Sequence, residues 1–112
     1  MINITVKRHN EFVLLGFQLP NDPISPDILN SISPPDPITQ NFAHLGVVIS
    51  GRGPVWLYGF LVHYYHPVKW VATHDPRLQA AVVVASHTPE VKPGDVIKLD
   101  TQPIPNSPNS QT

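Results

Sequence analysis

No cysteine occurs anywhere in the 112 residues. That excludes disulfides and thiolate chemistry, argues against a structural zinc site and fits a cytoplasmic protein. No apolar run is long enough to cross a bilayer, and the N-terminus carries no signal-peptide pattern. Basic charge is also scarce. Seven Lys and Arg stand against eight Asp and Glu, for a formal net charge of -1, so no global field draws long duplex nucleic acid. A nucleotide would have to be met by a local site. What is present is enough chain for one domain, 41% hydrophobic residues, six histidines mostly in the second half, and fourteen prolines.

The stretch Ser50-Gly51-Arg52-Gly53-Pro54-Val55-Trp56 organises the rest. Leu45 to Ser50 before it is β-branched and apolar and reads as a buried strand. Pro54 to His66 after it reads as a helix, with Pro54 suited to the first turn. That helix is apolar all round, which points to a subunit interface. Ahead of this unit, Ile2 to Arg8 alternates and Phe12 to Leu19 is apolar, so the two form a hairpin. Gly16 marks a bulge or a close backbone approach. Six prolines between Pro20 and Gln40 forbid a long helix and leave an exposed surface connection, with one short turn set at Pro26 to Ile32 capped by Ser25. After the helix, Lys69 to Thr73 is a strand parallel to Leu45–Ser50, because a single helix links them. Ala80 to Ala85 reads as a strand buried on both faces. Asp95 to Leu99 adds a short edge strand, and residues 101–112 read as a disordered tail after a single domain over 1–100. The expected fold is α/β, a minimal Rossmann-like domain with an N-terminal hairpin and one βαβ unit. A ferredoxin-like α+β arrangement is the alternative.

Three strands then end in polar groups: Ser50 with Arg52, His74 to Arg77, and Ser86-His87. Carboxyl ends of parallel strands share one edge, where ligands bind. The turn Ser50, Gly51, Arg52, Gly53 before the helix is suited to a phosphate. The helix carries His63 and His66 on one face at its far end, directed at the opposite edge. On this reading they do not meet Asp75 or His87 of their own chain but can meet those of another. Asp75, His63, His66 and His87 are suitable ligands for a divalent metal, although their spacing is no established signature. The plain alternatives are an Asp75–Arg77 surface ion pair and a His87 satisfied by backbone.

The run Gly51-Arg52-Gly53-Pro54-Val55-Trp56-Leu57-Tyr58, then His63, His66-Pro67, Trp70-Val71-Ala72, Asp75-Pro76-Arg77-Leu78, Ala81 to Val84 and Ser86-His87 resembles a small CRISPR-associated family. Its members are the third class of CRISPR ring nucleases of type III defence. The resemblance is close over residues 45–98 and loose over the first hairpin. It implies a minimal relative of the CRISPR-associated Rossmann fold that forms dimers, two of which sandwich cyclic tetra-adenylate. It implies manganese-assisted cleavage of that ring to linear di-adenylate. The matching functional positions are His66, Asp75, Arg77 and His87, with His63 nearby, supplied across the sandwich. Metal would fall to His63, His66, Asp75 and His87, and the phosphate to Ser50, Gly51, Arg52 and Gly53. Two other activities compete with this one: a sponge that binds the cyclic nucleotide uncut, and a manganese-dependent exonuclease on adenylate-rich RNA.

Overall fold

A computed structural model describes residues 2–99. The segment 101–112, read above as a disordered tail, lies outside them. Six strands and one α-helix follow in chain order: β1 (Asn3–Arg8), β2 (Phe12–Gln18), β3 (Gly46–Ser50), α1 (Val55–Tyr64), β4 (Trp70–Asp75), β5 (Ala80–Ser86) and β6 (Val96–Lys98). A 3₁₀ turn at Pro26–Asn30 interrupts the long connection from β2 to β3. The strands lie side by side in a single sheet, in the order in which the chain makes them. The β1–β2 hairpin is antiparallel, β2, β3 and β4 are mutually parallel, and β5 and β6 return antiparallel. The domain is a small mixed α/β unit. Its parallel trio departs from the antiparallel sheet of a ferredoxin-like arrangement.

Strand alternation sends Val13, Leu15, Phe17, Val47, Ile49 and Val71 to one face, where Leu57 and Leu61 of α1 and Tyr65 just beyond it close the main core. The other face gathers Val48, Trp70, Ala72, Ala81 and Val83. There Gly46 lets the Trp70 ring lie directly on the β3 backbone. No helix among the described residues is long and apolar enough to cross a membrane.

Four expectations need correction. Pro54 stands at the N-cap with extended backbone (φ −71°, ψ 157°), one residue before the first turn. Ser25 stands at the N-cap of the 3₁₀ turn as expected, but it caps through its carbonyl, which accepts the Ile28 N–H, while its hydroxyl goes to the Asp27 carboxylate. β5 is not buried throughout. An irregularity opposite Val71 and Ala72 leaves Val84 unpaired and 43% exposed. Finally, the proline-rich connection is no free surface loop. Phe42, Pro34 and Pro37 are buried, and the Tyr64 and Tyr65 hydroxyls donate to the carbonyls of Pro34 (2.9 Å) and Pro35 (2.8 Å). Arg8 reaches from β1 to the Gln40 and Asn41 carbonyls. Prolines suit this strap, because they extend the chain and leave carbonyls free to accept.

Burial pushes the Tyr65 hydroxyl above the ordinary tyrosine value of about 10, and Tyr64 and Asp36 add to the effect. The folded chain therefore keeps a proton that the unfolded chain releases. Its contribution to stability is complete below pH ~10 and declines as pH rises beyond that. Thermal melts from pH 8 to 11 should fall steeply at the alkaline end for the wild type and less steeply for Tyr65→Phe. Equal slopes would contradict this assignment.

Candidate functional site

Histidines and charged groups divide between the two ends of β4. At its carboxyl end lie Ser50, Arg52, His74, Asp75 and Arg77. His74 and Asp75 are the last residues of β4 itself, whereas the sequence reading put them past a strand ending at Thr73. Asp75 opens the tight turn to β5, and its carboxylate accepts the Arg77 backbone N–H at 2.9 Å and the Arg77 guanidinium at 3.1 Å. These bonds hold the Asp75 carboxyl below the usual carboxylate range and strengthen the hold of Arg77 on its proton. The ion pair is the plain alternative foreseen for these residues, yet the Arg77 side chain stays 86% exposed and able to meet an anion.

At the other end of β4 the structure departs from the expected shared edge. β5 runs antiparallel, so Ser86 pairs with Trp70, and the His87 N–H donates to the Lys69 carbonyl. Ser86-His87 therefore does not share an edge with Ser50 and Asp75. It lies at the C-terminal end of α1, with His63 and His66 of the same chain. The His66 and His87 rings meet edge to face with centroids 4.9 Å apart, and the His63 and His66 rings stand 6.4 Å apart. A cleft of about 230 Å³ opens beside them, with Val62, Val68 and Val71 among its apolar walls. His87 Nε2 lies 2.9 Å from the His66 carbonyl. A carbonyl can only accept, so Nε2 is the protonated, donating nitrogen in this contact and Nδ1 is the one turned away from it.

The four residues expected to share a metal do not come together in one chain. His63, His66 and His87 are neighbours, and Asp75 is at the opposite edge. Among the described residues no group of three His, Asp or Glu side chains could hold a metal ion. A manganese ion bound by all four would need more than one chain.

The turn after β3 is built by close approach. A Cβ on Gly51 (φ 157°) would stand 2.6 Å from the Phe17 carbonyl oxygen, and one on Gly53 would meet the Phe17 ring at 2.8 Å. The Tyr58 hydroxyl donates to the Gly51 carbonyl at 2.6 Å and ties the turn to the helix. Arg52 is exposed at its tip. One pairing went unread in the sequence: Ser50 Oγ and His74 Nδ1 are 2.8 Å apart. Both lie one residue beyond the paired Ile49 and Thr73 on parallel neighbours, so register and alternation alone would have placed them together.

The described residues form a one-helix α/β domain with two separate polar edges, one rich in histidine and the other carrying a carboxylate–arginine pair beside a glycine turn. The chain belongs to the CRISPR-associated protein family Cas_csx3, whose family model matches residues 17–98. It is also similar to an uncharacterized protein of Aquifex aeolicus (strain VF5), 50% identical over 101 residues that span 89% of this chain and 90% of the relative.

Proposed function

We propose that this chain is a ring nuclease that binds cyclic tetra-adenylate and cleaves it to linear di-adenylate, switching off type III CRISPR signalling. Membership of a CRISPR-associated family supports a role in that system. One structural observation carries the catalytic reading: His66 with His87, and Asp75 with Arg77, occupy opposite ends of β4. Five strand steps of about 3.4 Å put roughly 17 Å between those ends. A single phosphodiester cannot touch both within one chain. Two chains facing each other in reverse orientation bring one edge of each onto the same phosphate. A two-fold arrangement makes two such sites, and two cuts in a ring of four phosphodiesters yield two di-adenylates.

In this arrangement the domain is a minimal Rossmann-like relative acting as a pair of dimers around the ring. Arg52 and the turn N–H groups hold one phosphate. His66 moves the proton, taking it from the attacking oxygen or giving it to the departing 5′ oxygen. Arg77 offsets charge on the phosphoryl group in the transition state, and Asp75 fixes the guanidinium. Manganese, when bound between chains, would supply Lewis acidity at that phosphate. A sponge that binds the ring without cutting it is favoured by one observation, the engagement of His87 with the His66 carbonyl.

Single-turnover incubation with radiolabelled cyclic tetra-adenylate, with manganese and with chelator, separates the readings. Manganese-dependent appearance of linear di-adenylate is expected. Retention of the intact ring in both conditions would make the protein a sponge, and neither binding nor cutting would remove the cyclic nucleotide from its function.

A further inference from the structure

The Ser50–His74 contact has no part in the fold's core and no role in the chemistry above. Both side chains are partly buried at the carboxyl ends of adjacent parallel strands, 2.8 Å apart. Ser50 also lines a cleft of about 320 Å³ with Thr5, Asn3, Gly16 and Gln18. Every side chain in that set is neutral, and Gly16 adds no atom to the floor. A Cβ there would come within 3.3 Å of the Thr5 hydroxyl. His74 thus touches the hydroxyl of a residue that faces an open, uncharged cleft next to the glycine turn.

We infer that His74 is a positioning residue which turns the Ser50 hydroxyl into a donor aimed at a phosphoryl oxygen. A neutral imidazole is a donor at one nitrogen and an acceptor at the other. With the proton on Nδ1, the ring donates to Ser50 Oγ, and the hydroxyl proton is free to point into the cleft. With the proton on Nε2, Nδ1 accepts the hydroxyl proton, and Ser50 presents only lone pairs outward. An anion repels the second arrangement and bonds to the first. Binding of a phosphoryl group therefore selects the Nδ1–H tautomer, and the ring reports the ligand without touching it. The inference rests on the reading of this edge as the phosphate-facing one, and extends it to His74, to which that reading gave no role of its own.

Two kinds of measurement test it, on the intact chain. The first is the nitrogen NMR signal of His74, followed on addition of inorganic phosphate and, separately, of cyclic tetra-adenylate. Nδ1 should move toward the protonated, pyrrole-like position, and Nε2 toward the unprotonated, pyridine-like one, with either probe. A response to phosphate alone would keep the phosphoryl subsite and dismiss the cyclic nucleotide as its ligand. No response of His74 to either probe overturns the inference. The second is a cycle of variants read as phosphate-probe affinity. Ser50→Ala and His74→Leu should each weaken binding about tenfold, the worth of one hydrogen bond to a charged group, and the double variant should be no weaker than either. His74→Asn keeps an N–H near the position of Nδ1 and should stay within about threefold of the wild type. Additive losses, or an Asn variant as weak as Leu with its fold intact by circular dichroism, would make His74 merely structural.

Discussion

His66→Ala is expected to slow cleavage of cyclic tetra-adenylate by about 10²–10⁴-fold, the usual contribution of a positioned proton carrier. His66 is exposed just past the end of α1, so its removal should leave the melting temperature close to that of the wild type. The same holds for Arg77→Ala, because the Arg77 side chain is 86% exposed. The two inactive variants carry their lesions at opposite ends of β4. Mixing them therefore creates sites with an intact histidine edge from the Arg77→Ala chain and an intact arginine edge from the His66→Ala chain. Activity should return in the mixture. A mixture as inactive as its parts would sink the two-chain site, and wild-type turnover by His66→Ala alone would remove that histidine from the chemistry.

The second large effect concerns stability. Gly46→Ala should destabilise the domain by about 3 kcal/mol, at the upper end of the usual range for overpacking. A Cβ at Gly46 would stand 2.1–2.3 Å from three atoms of the Trp70 ring. Trp70 is only 5% exposed and packs with Val48, Ala72 and Val83, so it has little room to retreat. For a domain of this size the midpoint of thermal unfolding should drop by roughly 15 °C. Adding Trp70→Val to Gly46→Ala should cost less than the sum of the two single changes, because the second removes the ring that the first strikes. A Gly46→Ala melt within 2–3 °C of the wild type, about half a kcal/mol for such a domain, would show that the ring yields easily.

Most strands were legible because their residues alternate. Ile4 and Val6 along β1 carry the sheet period openly, and β3 was legible instead from its short β-branched run Val47 to Ile49. The parallel pairing of β3 with β4 followed from the helix between them, which the structure bears out. The direction of β5 was misread, although the sequence held the needed clue. Only Pro76 to Gln79 separate β4 from β5, and a parallel return needs a crossover of a dozen or more residues. That one inversion carried His87 from the Asp75 edge to the His66 edge. The docking of the proline-rich strap was illegible for a different reason. Its anchors are the backbone carbonyls of Pro34 and Pro35 and a single buried Phe42, and carbonyl acceptors leave no mark in composition. The helix offered apolar residues on every side. Burial selects Leu57 and Leu61, continued by Tyr65, while Val55 remains 87% exposed. Periodicity could not make that selection, since every face satisfied it.

Among the described residues, sequential strand order leaves β1 and β6 as the two rims of the sheet, and rims are where sheets of different molecules fuse end to end. Lys7 and Arg8 close the β1 rim, and β6 is three residues long and ends in Lys98. Short length and cationic side chains are both ways to discourage an incoming strand. Backbone pairing with another copy is thereby discouraged at both rims, which disfavours fibre growth by strand addition.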